Sequence, residues 1–235
     1  RNLYVYTPPG YETAEDRYPV IYMMDGNNLF NKYASRGHNW RLELVLDNLI
    51  SAGLISPVIV VGIGNTENRT GEYVPYDLPG PKAPDDKGLK APELLKSLVE
   101  ELKPQMDLQY RTRPERQHTT ISGSSYGGTF AVWAGLRHPK VFGRVMAFSP
   151  AFWPAEGQLF KDLTAADLPD DQQWYIDLGG GDGPGNWARE MMDQVDLQMA
   201  EALPAGNYRS AFDPQAPHKE ETWTQRFPDA LMGFR

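Results

Sequence analysis

Ser125 stands at the centre of Gly123-Ser124-Ser125-Tyr126-Gly127, a G-x-S-x-G sequence entered from the β-type run Thr119-Thr120-Ile121 and left through a helix-like one. With strand, turn and helix in that order, the serine hydroxyl is pushed out of the sheet. Glycines two positions either side let the strand and helix backbones approach closely. The next amide, that of Tyr126, falls at a helix N-terminus and can face a developing oxyanion. The chemistry this arrangement suits is nucleophilic attack on a carbonyl. The plain alternative is a glycine-rich loop that only packs.

A serine hydroxyl needs a histidine within hydrogen-bond reach to take its proton, and a carboxylate to orient that histidine. The chain has four histidines, at His38, His118, His138 and His218. In doubly wound hydrolases the chain order is nucleophile, acid, histidine, which removes His38 and His118. His138 closes the helix that begins at the nucleophile, so about 12 residues of helix put it roughly 20 Å away. That leaves His218, after the last strand-like run and just before the last helix. The acid should lie just beyond the C-terminal end of a strand. Asp182 does so, following the run Trp174–Leu178 across Gly179-Gly180-Gly181, a flexible turn able to aim a side chain inward. Asp177 lies inside that run and is expected to be buried or to face a helix, and Asp213 is close in sequence to His218. In such folds a second oxyanion donor comes from the loop after the third strand. Here that loop reads Met24-Asp25-Gly26-Asn27-Asn28-Leu29-Phe30, with Gly26 letting the backbone turn and the Asn27 amide favoured over that of Asn28.

The elements needed to hold these groups alternate along the chain. Apolar or β-branched runs occur at Leu3–Tyr6, Val20–Met24, Val58–Ile63, Thr119–Ile121, Val145–Phe148, Trp174–Leu178 and Tyr208–Phe212. Helical patterns fall near Trp40–Ala52, Glu93–Asp107, Tyr126–His138, Trp187–Leu203 and Glu220–Met232. Short apolar strands separated by amphipathic helices predict an α/β fold, with a mostly parallel sheet covered on both faces. The stretch Asn65–Ala91, rich in Pro, Gly and charge, reads as a long irregular loop that could roof a substrate site. No internal repeat or linker interrupts the pattern.

Composition bounds the function. At 235 residues, with 40% hydrophobic and 11% aromatic content, the chain suits one soluble globular domain over residues 1–235. No apolar run approaches the roughly 18–20 residues needed to span a bilayer. A formal charge of −8 argues against nucleic acid or an anionic membrane as partner. Without cysteine there is no disulfide, thiolate metal site or Cys nucleophile. No His/Asp/Glu cluster has metal-ligand spacing, Asp85-Asp86 reads as a solvated charge pair, and no cofactor is expected. The start has no signal-peptide pattern, but Arg1 is not an initiator methionine, which leaves room for residues ahead of it. The compartment and the oligomeric state stay open.

The runs YPVIYMMDGNNLF, VGIGNTENRTGEYVP, ELKPQMDLQYRTRPERQHTTISGSSYGG, FGRVMAFSPAFW and HKEETWTQRFPDAL, in this order, resemble the putative-esterase family of α/β-hydrolases. That group includes esterase D, enterochelin esterase-like enzymes, feruloyl and acetylxylan esterases and the mycolyl transferases. The resemblance covers nearly the whole chain and implies an α/β-hydrolase fold with Ser125 as nucleophile, Asp182 as acid and His218 as base. Asp182 falls where the family's D-x-G-x-x-E/D pattern puts the acid, and His218 opens an H-x-x-x-x-W sequence that ends at Trp223. Tyr126 stands where relatives commonly carry Met, and Lys219 where they commonly carry Asn.

The resulting expectation is a serine carboxylic-ester hydrolase acting on a small-molecule or glycan-linked ester, of feruloyl, acetyl-sugar or siderophore type. Its rivals are an acyltransferase with the same triad and a catalytically weak binding relative. Arg69 resembles a position that meets anionic ligands in siderophore esterases. A salt bridge to Glu67 or Glu72 would account for it equally well. Trp153 and Trp187 flank the turn of Asp182 and could wall a sugar or phenolic group, or be core. No insertion is large enough for a lipase-type lid, which disfavours long-chain lipid.

Overall fold

The computed structural model of the chain describes residues 1–30, 39–78, 84 and 86–234, so His38 and Asp85 lie outside the described residues. Seven strands form one sheet: β1 (Leu3–Tyr6), β2 (Val20–Met24), β3 (Ile59–Ile63), β4 (Thr119–Ser124), β5 (Arg144–Phe148), β6 (Gln173–Gly179) and β7 (Tyr208–Asp213). Their order is β1-β3-β2-β4-β5-β6-β7. All neighbours are parallel except β1, which pairs antiparallel with β3 at one edge. The expected strands are all present, within a residue at most ends; β4 extends further than expected, to Ser124.

Period-two patterning divides the core between the two faces of the sheet. On one face Val20, Tyr22 and Met24 of β2 join Ile121, Val145 and Ile176. Packed there are α5 (Tyr126–Arg137), through Phe130 and Ala134, and α7 (Trp187–Ala202), through Met192, Val195 and Met199. On the other face Ile21, Met23, Val60, Met146 and Tyr175 meet α1 (Leu42–Ser51), through Leu42 and Leu46, and α8 (Glu220–Met232), through Trp223, Phe227 and Ala230. This is the mostly parallel sheet covered on both faces that the alternating runs predict, and the α/β-hydrolase fold that the family resemblance implies.

Two helices were not expected. α2 (Arg69–Tyr73) is a single turn inside Asn65–Ala91, so that stretch is not wholly irregular. The helix Pro154–Thr164, α6, opens through a left-handed turn at Ala155, Glu156 and Gly157. The Glu93–Asp107 pattern is a longer helical run, α3 (Ala91–Ser97) and α4 (Lys103–Gln109) joined by a wider π turn over Leu98–Leu102. Pro104, which has no N–H to give, follows that widened turn. Strand β2 is flanked by β3 on one side and β4 on the other, so the chain reverses its direction of travel across the sheet between β2 and β4. A crevice opens at such a point, outside the carboxyl ends of the strands.

Candidate active site

Ser125 sits where that crevice opens, one residue beyond β4. Its backbone has φ 55° and ψ −128°, which an L-residue adopts only when its surroundings hold it there. They do: Ser125 N–H donates to Phe148 O at 3.0 Å, and Ser125 O accepts from Thr129 N–H at 2.9 Å. A Cβ on Gly123 would stand 2.4 Å from Gly127 O, and one on Gly127 would stand 2.9 Å from Met24 Cβ. The flanking glycines therefore serve the close approach that the sequence pattern implies.

His218 lies in the loop between β7 and α8. Its Nε2 is 2.9 Å from Ser125 Oγ and its Nδ1 is 2.6 Å from Asp182 Oδ1. A carboxylate can only accept, so Nδ1 carries the proton and Nε2 is left to accept from the serine hydroxyl. The Asp182 side chain is 3% exposed, against 36% for His218. Its second oxygen accepts from Gly179 N–H. The structure thus brings Ser125, His218 and Asp182 into one hydrogen-bonded chain.

The glycines before Asp182 differ from expectation. None has a positive φ. A Cβ at Gly180 would lie 2.1 Å from Pro214 O, and one at Gly181 would lie 2.9 Å from Pro217 Cα. They let the Asp182 turn lie directly against the Pro214–His218 backbone, and Gly181 N–H donates to Ala216 O at 3.0 Å. Close contact, not flexibility, is what they supply. Asp177 is fully buried as expected, and faces α8: Arg226 Nε donates to its Oδ2 at 2.8 Å and Arg226 Nη2 to its Oδ1 at 3.0 Å. Burial pushes its carboxyl up to about 6, against the downward pull of Arg226, Ser149 N–H and Tyr175 OH.

The loop expected to supply the second oxyanion donor follows β2, the second strand in this chain, as a short 3-10 turn over Gly26–Asn28. Asn28 N–H is taken by Asp25 O at 2.9 Å, which leaves the Asn27 amide, in the first turn, as the better candidate. The left-handed residue is Asp25 (φ 56°) rather than Gly26. Gly26 is needed for another reason: a Cβ there would lie 2.4 Å from the carbonyl carbon of Gly62 on β3.

Arg69 is on α2, not in open loop. Its Nε and Nη2 donate to the two oxygens of Asp25 at 2.8 and 2.7 Å, and its guanidinium lies over the rings of Tyr73 and Tyr126. Neither expected partner holds it. Glu67 pairs with Lys87, and Glu72 with Arg1. Arg69 lines the groove beside Ser125 with much of its fork already committed.

The aromatic wall is different from that expected. The groove, about 1000 Å³, is lined among the described residues by Asn27, Asn65, Thr66, Trp40 and Trp223, besides Ser125 and His218. Trp153 is 52% exposed, stands against the Tyr126 ring at 5.9 Å and does not line it. Trp187 packs on Gly183, where a Cβ would lie 2.3 Å from its ring, and so braces the turn of Asp182. Trp223 meets His218 edge to face at 4.9 Å and stacks on Trp40 at 5.9 Å. The H-x-x-x-x-W spacing marks Trp223, whereas Trp40 had no local signal: only the tertiary fold carries α1 to α8. Among the described residues no group of His, Asp and Glu could hold a metal ion, and no helix is long and apolar enough to cross a membrane.

An α/β sheet with a serine on a strand-to-helix elbow at its switch point is the arrangement found in α/β-hydrolases. A family model described as Putative esterase matches residues 1–234, and the chain belongs to that family. It is 38% identical over 106 residues to an iron(III) enterobactin esterase of Dickeya dadantii (strain 3937), covering 41% of this chain and 24% of that protein. It is 27% identical over 156 residues to the uncharacterized protein YbbA of Bacillus subtilis (strain 168), covering 65% of this chain and 58% of that one. The matches therefore span less than two thirds of either relative's length. Among solved structures, the fold is similar to an IroE-like serine hydrolase from Shewanella oneidensis, with TM-score 0.77 and 23% identity over 98% of this chain and 74% of that one. It is also similar to the enterobactin esterase FES from Shigella flexneri, with TM-score 0.74 and 20% identity over 99% of this chain and 54% of that one.

Proposed function

We propose that the chain is a serine carboxylic-ester hydrolase that works through an acyl-enzyme. The observation that carries this is the relay Ser125 Oγ–His218 Nε2, His218 Nδ1–Asp182 at 2.9 and 2.6 Å, at the carboxyl ends of the strands. As Ser125 Oγ bonds to the ester carbonyl carbon, His218 takes its proton, and Asp182 stabilises the imidazolium. The Asn27 and Tyr126 amides hold the oxyanion. The tetrahedral adduct then breaks its bond to the alcohol, which leaves with the proton from His218. Water, deprotonated by the same histidine, attacks the acyl-serine and releases the acid.

The substrate is a small or medium ester. A groove open at the strand ends, with Asn27, Asn65 and Thr66 along it, suits an ester that carries further polar groups. The names of relatives bracket the range, from iron(III) enterobactin esterase to an endo-1,4-beta-xylanase/feruloyl esterase of Xylanibacter ruminicola. The test is incubation with a fluorophosphonate, mass-spectrometric location of the adduct, and turnover of short p-nitrophenyl esters beside feruloyl, acetyl-sugar and siderophore esters. An adduct on Ser125 with turnover is the expected result; folded protein without an adduct overturns the reading.

A further inference from the structure

Ser149, one residue past β5, is buried (1% exposed) and held at φ 45°, a left-handed conformation costly for a non-glycine residue. Ser149 Oγ accepts from Trp223 Nε1–H at 2.9 Å and from Arg226 Nη2 at 3.0 Å. Its N–H donates to Asp177 Oδ1 at 2.9 Å, and Tyr175 OH donates to Asp177 Oδ2 at 2.9 Å. Asp177 in turn receives the two-point fork of Arg226. None of these groups touches Ser125, and the proposed reaction uses none of them.

What they do share is α8. Trp223 and Arg226 are three residues apart and lie on one face of it. His218 enters the same helix just before its first turn, with its ring perpendicular to Trp223 at 4.9 Å. The strand that carries Asp177, β6, leads straight into the turn that carries Asp182 five residues later. We infer that Ser149, Asp177 and Arg226 are positioning residues for His218, fixing its ring through the indole of Trp223 and referring base and acid to the same strand. This rests on the hydrolase reading above.

The buried indole stacks on Trp40, and one hydrogen bond fixes the tilt of its N–H edge. The Ser149 hydroxyl supplies that hold. Losing it leaves the ring in place but lets the imidazole it backs swing about the Asp182 bond, and a base displaced by a fraction of an ångström loses rate without losing substrate affinity.

The test compares wild type, Trp223→Phe, Ser149→Ala and the double variant, with p-nitrophenyl acetate as substrate. Trp223→Phe removes the pyrrole half of the indole with its N–H and keeps a six-membered ring against Trp40, so it carries the test even where Ser149→Ala fails to fold. Expected is a roughly 10-fold loss of kcat in each single variant at KM within about twofold, and a loss in the double well short of their product, because both changes remove the Trp223–Ser149 bond. The downfield proton resonance of His218 Nδ1–H should also broaden or shift in each. A kcat equal to wild type in Trp223→Phe, or losses that multiply in the double variant, would overturn the inference. So would an unchanged His218 resonance. A wild-type protein that turns over no ester counts against the hydrolase reading instead, and the resonance still reports on His218.

Discussion

Asp25 and Arg69 are locked together by two parallel hydrogen bonds of 2.7 and 2.8 Å, and Asp25 is the residue that turns the chain into Gly26-Asn27. The pair is held further by Tyr73, whose hydroxyl accepts from Asp25 N–H at 3.0 Å. Such a fork is planar and directional in a way a lysine cannot reproduce. It therefore pins the residue from which the chain turns toward the Asn27 amide, the proposed oxyanion donor. Arg69→Lys should lower kcat roughly 10-fold or more on neutral p-nitrophenyl esters, which offer no anion for Arg69 to bind. Steady-state kinetics checks it: an effect confined to anionic esters would make Arg69 a ligand contact and not a loop anchor.

The proposed relay makes two substitutions diagnostic. Ser125→Ala should abolish turnover with folding intact, as read by circular dichroism beside the esterase assay. Asp182→Asn should lower kcat by roughly 10³- to 10⁴-fold, since an amide in that place favours the wrong imidazole tautomer. If Asp182→Asn is close to wild type, the acid has been misassigned.

Gly26 tests the packing beneath the oxyanion loop. A Cβ there meets the Gly62–Ile63 backbone at 2.4 to 2.7 Å, and backbone in a central strand cannot move aside. Gly26→Ala should cost about 1–3 kcal/mol and most of the activity. Alanine at Gly10, which has open space around it but a left-handed φ of 81°, should be milder and leave turnover untouched. Urea titration with activity measurement on both variants checks the contrast.

Arg226 allows a pH prediction. Burial already holds the Asp177 carboxyl above its usual range, to about 6, and removing Arg226 removes the largest influence that pulls it down. A carboxyl raised in the folded state favours folding below its unfolded value, near roughly pH 4, and that contribution is lost as pH rises through the folded value. Arg226→Met should therefore be only mildly destabilised near pH 5 and lose about 3–5 kcal/mol by pH 8. Urea unfolding at both pH values is the measurement. An equal deficit at each would mean that Asp177 stays ionised without its partner.

Much of this site could be read along the chain because its key residues announce themselves locally. Ser125 sits between glycines on a strand-to-helix turn, and Asp182 and His218 follow strands in the expected order. The seven strands were legible for the same reason: each is a short apolar run with polar flanks. What could not be read depends on residues distant in sequence. Arg69 meets Asp25 across 44 positions and Trp223 meets Ser149 across 74, and no local pattern specifies either pairing. The glycines at 26 and 179–181 were legible as turn formers, but their use as contact surfaces exists only once β3 and the Pro214–His218 segment are laid against them. The α6 helix was hidden by its own start, where Ala155, Glu156 and Gly157 wind the wrong way.

The backbone of Ser125 has one more consequence. Its φ of 55° with ψ of −128° is territory that glycine enters freely and serine does not. Strain of that kind amounts to about 1–3 kcal/mol, while the extra freedom glycine gives the unfolded chain takes back about 0.4–1 kcal/mol. On balance, an inactive Ser125→Gly protein should outlast the native one on heating. Durability alone would favour glycine here, and the proposed nucleophile stands at this position in spite of its backbone.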